Sequence, residues 1–190
     1  YAYRHAFDRR VLAIMVPATT LGVGLGWATA EVVPEALVTG LVGLIGVVFA
    51  ANLLLRRRVP AAPRPARVVP GLFWGAAAGF TSFVSHAGAP PYQVYTMPLR
   101  LRKEVFAGTS TILFAYVNAA KLIPYWALGQ INITNLKLTL VLCIPASLAV
   151  FAGVRLVRVL PEKLFFQLVT WALLILSAKL VWDGARDLAG

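Results

Sequence analysis

The chain has 190 residues, 59% of them hydrophobic and 13% charged, with a formal net charge of +11 and one cysteine. Charge this sparse, against about 25% in soluble domains, argues against an ordinary soluble fold. One cysteine leaves no disulfide framework and no cysteine-rich metal cluster. The basic residues sit in short connections between apolar blocks rather than on one face, which points to a membrane and away from nucleic acid.

Five blocks, Val11–Ala30, Leu37–Leu55, Val105–Leu128, Leu136–Val154 and Leu164–Trp182, carry few or no charges. Each is about 20 residues, the length that crosses a hydrocarbon core of roughly 30 Å. Leu72–Val84 is shorter and fits a half-span. None shows the polar stripe of a soluble amphipathic helix. The fold class is therefore all-α, a polytopic integral membrane protein.

In chain order, a basic start (Arg4, Arg9, Arg10) leads into the first span, rich in Gly22, Gly24 and Gly26. Small residues at this density let helices approach closely. The acidic turn Glu31–Glu35 holds Pro34 at the start of the second span, which carries Gly40, Gly43 and Gly46. No strand precedes these glycines and no Gly-Lys-Ser/Thr follows, so they are not a nucleotide loop. Residues 59–70 form a basic, proline-rich cytoplasmic linker after Arg56–Arg58. Next comes the segment 71–98, interrupted at His86-Ala87-Gly88-Ala89-Pro90-Pro91. Proline lacks the helix donor and restricts the residue before it. At membrane depth such a break is tolerated where it is buried or lines a cavity. A long span to Leu128 follows, then a polar turn containing the sequon Asn132-Ile133-Thr134, and two closing spans joined by a turn with Arg155, Arg158, Pro161, Glu162 and Lys163.

The closing pair repeats the opening pair. Pro17-Ala18 and Val33-Pro34-Glu35-Ala36-Leu37 match Pro145-Ala146 and Leu160-Pro161-Glu162-Lys163-Leu164. The matched turns have opposite charge, so the copies are expected in opposite orientation: an inverted repeat, as secondary transporters use. Placing every basic cluster inside requires 71–98 to enter and leave on one side, as a re-entrant broken hairpin. Residues 1–58 then form the latter part of a first repeat, with two transmembrane helices. Residues 71–190 form the second repeat, the hairpin 71–98 plus three transmembrane helices. Nothing before Tyr1 corresponds to Gly71–Leu128, so the chain reads as truncated at its N-terminus.

The candidate site gathers at the break. Ser110, Thr111, Asn118, Lys121 and Tyr125 fall on one face of their helix. Lys121 lies well inside a span, where a lysine costs about 2.5–3.5 kcal/mol on insertion scales. Two readings stand: Lys121 snorkels or pairs structurally, or it joins Asn118 and the helix ends in holding a small oxyanion. His86 is a proton acceptor, a donor or a structural residue of the break. Gln93 and Tyr95 either contact substrate or tie the break together. Gly88 completes the substrate-binding set Lys121, Asn118, His86, Gln93, Tyr95, Ser110, Thr111 and Gly88. No catalytic residue, metal ligand or cofactor is expected.

The run Gly71–Gly79, the motif His86-Ala87-Gly88-Ala89-Pro90, Phe106-Ala107-Gly108-Thr109-Ser110-Thr111, Asn118-Ala119-Ala120-Lys121, the polar turn from Gly129 and Pro161-Glu162 together resemble the sulfite exporter TauE/SafE family of bacterial and archaeal membrane proteins. The resemblance implies an eight-helix-type bundle of two homologous halves that transports sulfite, thiosulfate or organosulfonates. The family's Gly-rich segment of the first half has no counterpart here. The function expected is a secondary transporter, an exporter of small sulfur-containing anions by alternating access, in the prokaryotic cytoplasmic (inner) membrane. Its partners are the lipid bilayer, the sulfur anion and a possible coupling proton. The alternative is a membrane-embedded enzyme or a non-transporting membrane subunit.

Overall fold

A computed structural model describes residues 5–55, 62–129 and 133–189, with only the backbone for 133–138. Arg4, the cluster Arg56–Arg58 and the sequon's Asn132 lie outside the described residues. Among the described residues the chain is all helix: α1 (Arg9–Ala28), α2 (Glu35–Leu55), α3 (Val68–Ser85), α4 (Ala89–Thr96), a 3-10 turn (Met97–Leu99), α5 (Lys103–Ala127), α6 (Ile133–Val159) and α7 (Glu162–Ala189). Six of these, all but the short α4, are long and apolar enough to cross a membrane.

The helix starts follow local rules. Asp8 caps α1, its carboxylate accepting from the Val11 amide at 2.9 Å, as an N-cap side chain does. Pro34 and Pro161 each precede a glutamate that opens a helix, where a proline loses no hydrogen bond and an acidic side chain suits the helix dipole. The opening bonds match as well: Val38 donates to Pro34 O, and Phe165 donates to Pro161 O.

The interrupted segment differs from a pair of half-spans. Its first leg, α3, has 18 residues and starts at Val68, inside the stretch read as linker; Pro70 sits in its first turn. The added length is mostly at its start, where Val68–Gly71 are already helical, with Ser85 added at the far end. Thr81 reaches Ala77 O at 2.9 Å and Ser85 donates to Thr81 O at 3.2 Å, satisfying themselves on the preceding turn. The break itself is three residues, because Pro90 and Pro91 open α4 rather than extend the loop. The return leg is only eight residues plus the 3-10 turn, yet it comes back to the level where α3 began. Tyr95 OH donates to Arg67 O at 3.0 Å, and the Arg64 amide donates to Pro98 O at 3.1 Å.

Contacts set the helix directions. Gly71 faces Ile14, Gly75 faces Ala18 and Gly26 faces Phe83, so α1 and α3 run parallel. A side chain at Gly79 would collide with the main chain of Thr19, which is why this crossing needs glycine. Asp8 N bonds to Thr109 Oγ1 at 2.8 Å and Thr20 pairs with Tyr116 at 2.7 Å, so α5 is parallel to α1. Gly40 faces Gly184 and Gly46 faces Ser177, so α2 and α7 are antiparallel. The Lys103 ammonium donates to Leu160 O at 2.6 Å, which ties the end of α6 to the start of α5. These directions bring Arg9, Arg10, Arg64, Arg67, Arg100, Arg102, Lys103, Arg158 and Lys163 to one end of the bundle, and Glu31, Glu35, Asp183 and Asp187 to the other.

Two helix groups result. α1 packs on α3 and α5, and α2 packs on α7. The hairpin lies between them: Val38 and Val42 of α2 bury Ala87, while Tyr92 of α4 stacks among Phe106 and Phe114 of α5. α6 meets the rest chiefly along α5, and its apolar side chains from Leu140 to Phe151 face outward, as a lipid-facing helix does.

Candidate functional site

The tip of the hairpin is built by backbone geometry. α3 ends at His86, which takes the left-handed conformation with φ 53°. Ala87 N then donates to Thr81 O at 3.1 Å, closing the turn that usually recruits glycine. Gly88 follows, where an added Cβ would lie 2.9 Å from Ala78 O and 3.0 Å from Phe114 Cε1. The chain can turn back this tightly only without a side chain there.

Beside the tip lies a cavity of about 460 Å3 between the break, α4, α5 and α7. Its polar lining comes from Ser85, His86, Tyr92, Gln93, Ser110 and Lys179; Phe106, Phe114 and Leu173 form apolar walls. Three buried polar atoms around it have no hydrogen-bond partner among the described residues: Gln93 Oε1, Tyr92 OH and Ser177 Oγ. Tyr92 is 1% exposed, and its hydroxyl lies beside Ser110 and Thr96 without a well-formed bond to either. Ser177 and Pro90 both adjoin Gly46 where α2 crosses α7. Unpaired buried polar atoms are rare and costly in native proteins and call for an explanation. A primary amide can rotate to present either its oxygen or its two N–H donors. Together these groups offer an oxyanion an amide, hydroxyls, an imidazole and, at the rim, an ammonium.

A family model described as Sulfite exporter TauE/SafE matches residues 1–180. The chain belongs to the sulfite exporter TauE/SafE family. Comparison with curated proteins and with solved structures gives no match. Membership points to a sulfur-anion membrane transporter, and its six apolar helices supply the multi-pass body.

Within this TauE/SafE chain the structure gathers only part of the expected set around the cavity. His86, Gln93 and Ser110 line it, and Gly88 backs its turn. Lys121 instead turns to the end of α3: it is 5% exposed, and its ammonium donates to Ser82 O at 3.0 Å and Ser82 Oγ at 3.2 Å. Tyr125 joins this clamp, donating to Phe83 O at 3.1 Å with its ring 5.8 Å from the ammonium. This contact has the form of the structural pairing named in the first reading of Lys121, and Asn118, its partner in the oxyanion reading, is exposed. Tyr95 closes the base of the hairpin through Arg67 O. Asn118 and Thr111 are exposed, the Thr111 hydroxyl donating to Ala107 O at 2.7 Å.

Two residues at the cavity, Tyr92 and Lys179, and Ser177 at the adjoining α2–α7 crossing were not singled out from the sequence. Lys179 is ion-paired with Asp183 one turn along α7. The signal for Ser177 and Lys179 was the further match of Phe49-Ala50-Ala51-Asn52-Leu53 with Leu176-Ser177-Ala178-Lys179-Leu180 at the offset of the repeat. Tyr92 carries none, since an aromatic residue after a proline pair looks like packing.

Proposed function

We propose that the chain exports sulfite, thiosulfate or an organosulfonate across a prokaryotic inner membrane by alternating access, with the anion held in the cavity at the hairpin tip. The observation that carries this reading is the hairpin that leaves and returns at one level, its break lining a cavity to which Gln93 and Tyr92 bring buried polar atoms without a partner among the described residues. An anion accepting from the Tyr92 hydroxyl, and from the Gln93 amide turned to present its N–H groups, would fill positions the protein leaves unpaired. The Ser110 hydroxyl, which donates to Ala107 O at 3.0 Å, would exchange that bond to join them. Lys179 supplies charge at the rim, and His86, which lines the same cavity, is our candidate for a coupling proton.

The basic end of the bundle is cytoplasmic in this reading. The antiparallel contact of α2 with α7, which open with matching Pro-Glu starts, supports an inverted repeat. The boundary between the α1–α3–α5 group and the α2–α7 pair is then the surface that rocks. Proteoliposomes loaded with sulfite or thiosulfate test it. Protein-dependent efflux, absent with sulfate, is expected; no efflux of any sulfur anion under either pH gradient would refute it.

A further inference from the structure

A second cavity, of about 570 Å3, opens at the basic end between the end of α2, the turn from α4 to α5 and the start of α7. Arg100 and Lys163 stand at its mouth, with Glu162 beside them. Its walls are mainly apolar, Leu53 and Leu54 from α2 and Phe166 and Trp171 from α7, with Gln167 and Thr170 among them. The order along α7 is informative. Lys163 is in the first turn, and Trp171 lies about 12 Å farther along the axis at 1.5 Å per residue. Trp171 is 48% exposed, on the open side of the cavity.

The geometry points to a binding site for an anionic phospholipid, its phosphate at Arg100 and Lys163 and the upper part of an acyl chain along Leu53, Leu54, Phe166 and Trp171. A small oxyanion would use the cations and leave the apolar wall empty. A phospholipid uses both, in the depth order the cavity presents them. Basic pockets between transmembrane helices on the cytoplasmic side recognise lipid head groups by this combination. Arg100 is also held with φ 52°, one of two non-glycine residues in the left-handed region among those described. Backbone strain of that kind persists where the surroundings fix it and is concentrated at functional positions. The Arg64 amide bonded to Pro98 O pins the same turn. This site is separate from the hairpin-tip cavity and does not depend on the transport reading.

Intact-protein mass spectrometry of the detergent-solubilised protein, with phosphatidylglycerol and phosphatidylcholine at equal concentration, tests the proposal. Wild type should retain phosphatidylglycerol in roughly tenfold preference, the equivalent of about 1.4 kcal/mol. The double variant Arg100→Gly, Lys163→Gln should lose that preference; glycine suits the backbone at position 100. Arg155→Gln, on the same end but outside the cavity, should keep it. Brominated-chain phosphatidylglycerol should quench wild type more than Trp171→Phe, a readout that needs no charge variant. Preference surviving in the double variant, or no Trp171-specific quenching, overturns the lipid site. Loss of the preference on adding equimolar inorganic phosphate identifies a free-anion site and overturns it too.

Discussion

The Lys121 ammonium lies 3.0 Å from the carbonyl oxygen of Ser82, so α5 holds the last turn of α3 by a charged hydrogen bond. The carbonyls ending a helix lack intrahelical donors and carry partial negative charge. A buried cation there is stabilising, and the Tyr125 bond to Phe83 O extends the same clamp. Lys121→Gln should lower stability by about 2 kcal/mol, the typical value of a hydrogen bond to a charged group. It should leave the anion-induced rise in melting temperature in place. Loss of that rise with an unchanged baseline melting temperature would put Lys121 in contact with the ligand.

His86 separates backbone from side chain. Its φ of 53° costs an L-residue roughly 1 kcal/mol that glycine avoids. His86→Gly should therefore melt no lower than wild type, while His86→Val melts lower. If the imidazole serves the cavity, His86→Gly also transports less. A glycine variant with full transport at every pH would reduce His86 to a turn residue.

The close crossings give a contrast between glycines. At Gly79 a Cβ would overlap the Thr19 main chain, whereas at Gly24 nothing lies within 4 Å. Gly79→Ala should cost about 1–3 kcal/mol by overpacking. Gly24→Ala should be neutral or stabilising by up to about 1 kcal/mol from helix propensity. Thermal unfolding in one detergent compares them, and equal melting points would refute the parallel α1–α3 packing.

Sidedness is checked with one thiol. In a Cys143→Ser background, a cysteine at Leu128, at the end of α5, should react with a membrane-impermeant maleimide added outside intact cells. One at Arg102 should react only after permeabilisation. The reverse pattern would invert the topology.

The spans were legible because each is long and apolar and is bounded by charge or, between α5 and α6, by an uncharged polar turn. Glu35 and Glu162 open helices within two residues of where the apolar runs begin. The length of α3 was not legible, because Pro70 looks like the end of a linker in the sequence and sits instead in the first turn of the helix, where a proline is tolerated. Lys121 was found as an unusual residue, but its partner is a main-chain carbonyl 39 positions away, which periodicity cannot show. Ser110 shares its helical face but sits three turns earlier at about 3.6 residues per turn, beside the cavity. Shared angle around a helix is not shared depth along it.

The most direct measurement is sulfite and thiosulfate efflux from proteoliposomes by wild type and Gln93→Leu, with the melting temperature of each. Leucine removes a buried oxygen that has no partner, so stability should hold or rise. If the cavity carries the anion, efflux should fall roughly tenfold or more, the effect of losing about 1.4 kcal/mol of anion recognition. Efflux at the wild-type rate from a stable Gln93→Leu protein would contradict the hairpin-tip cavity as the transport site.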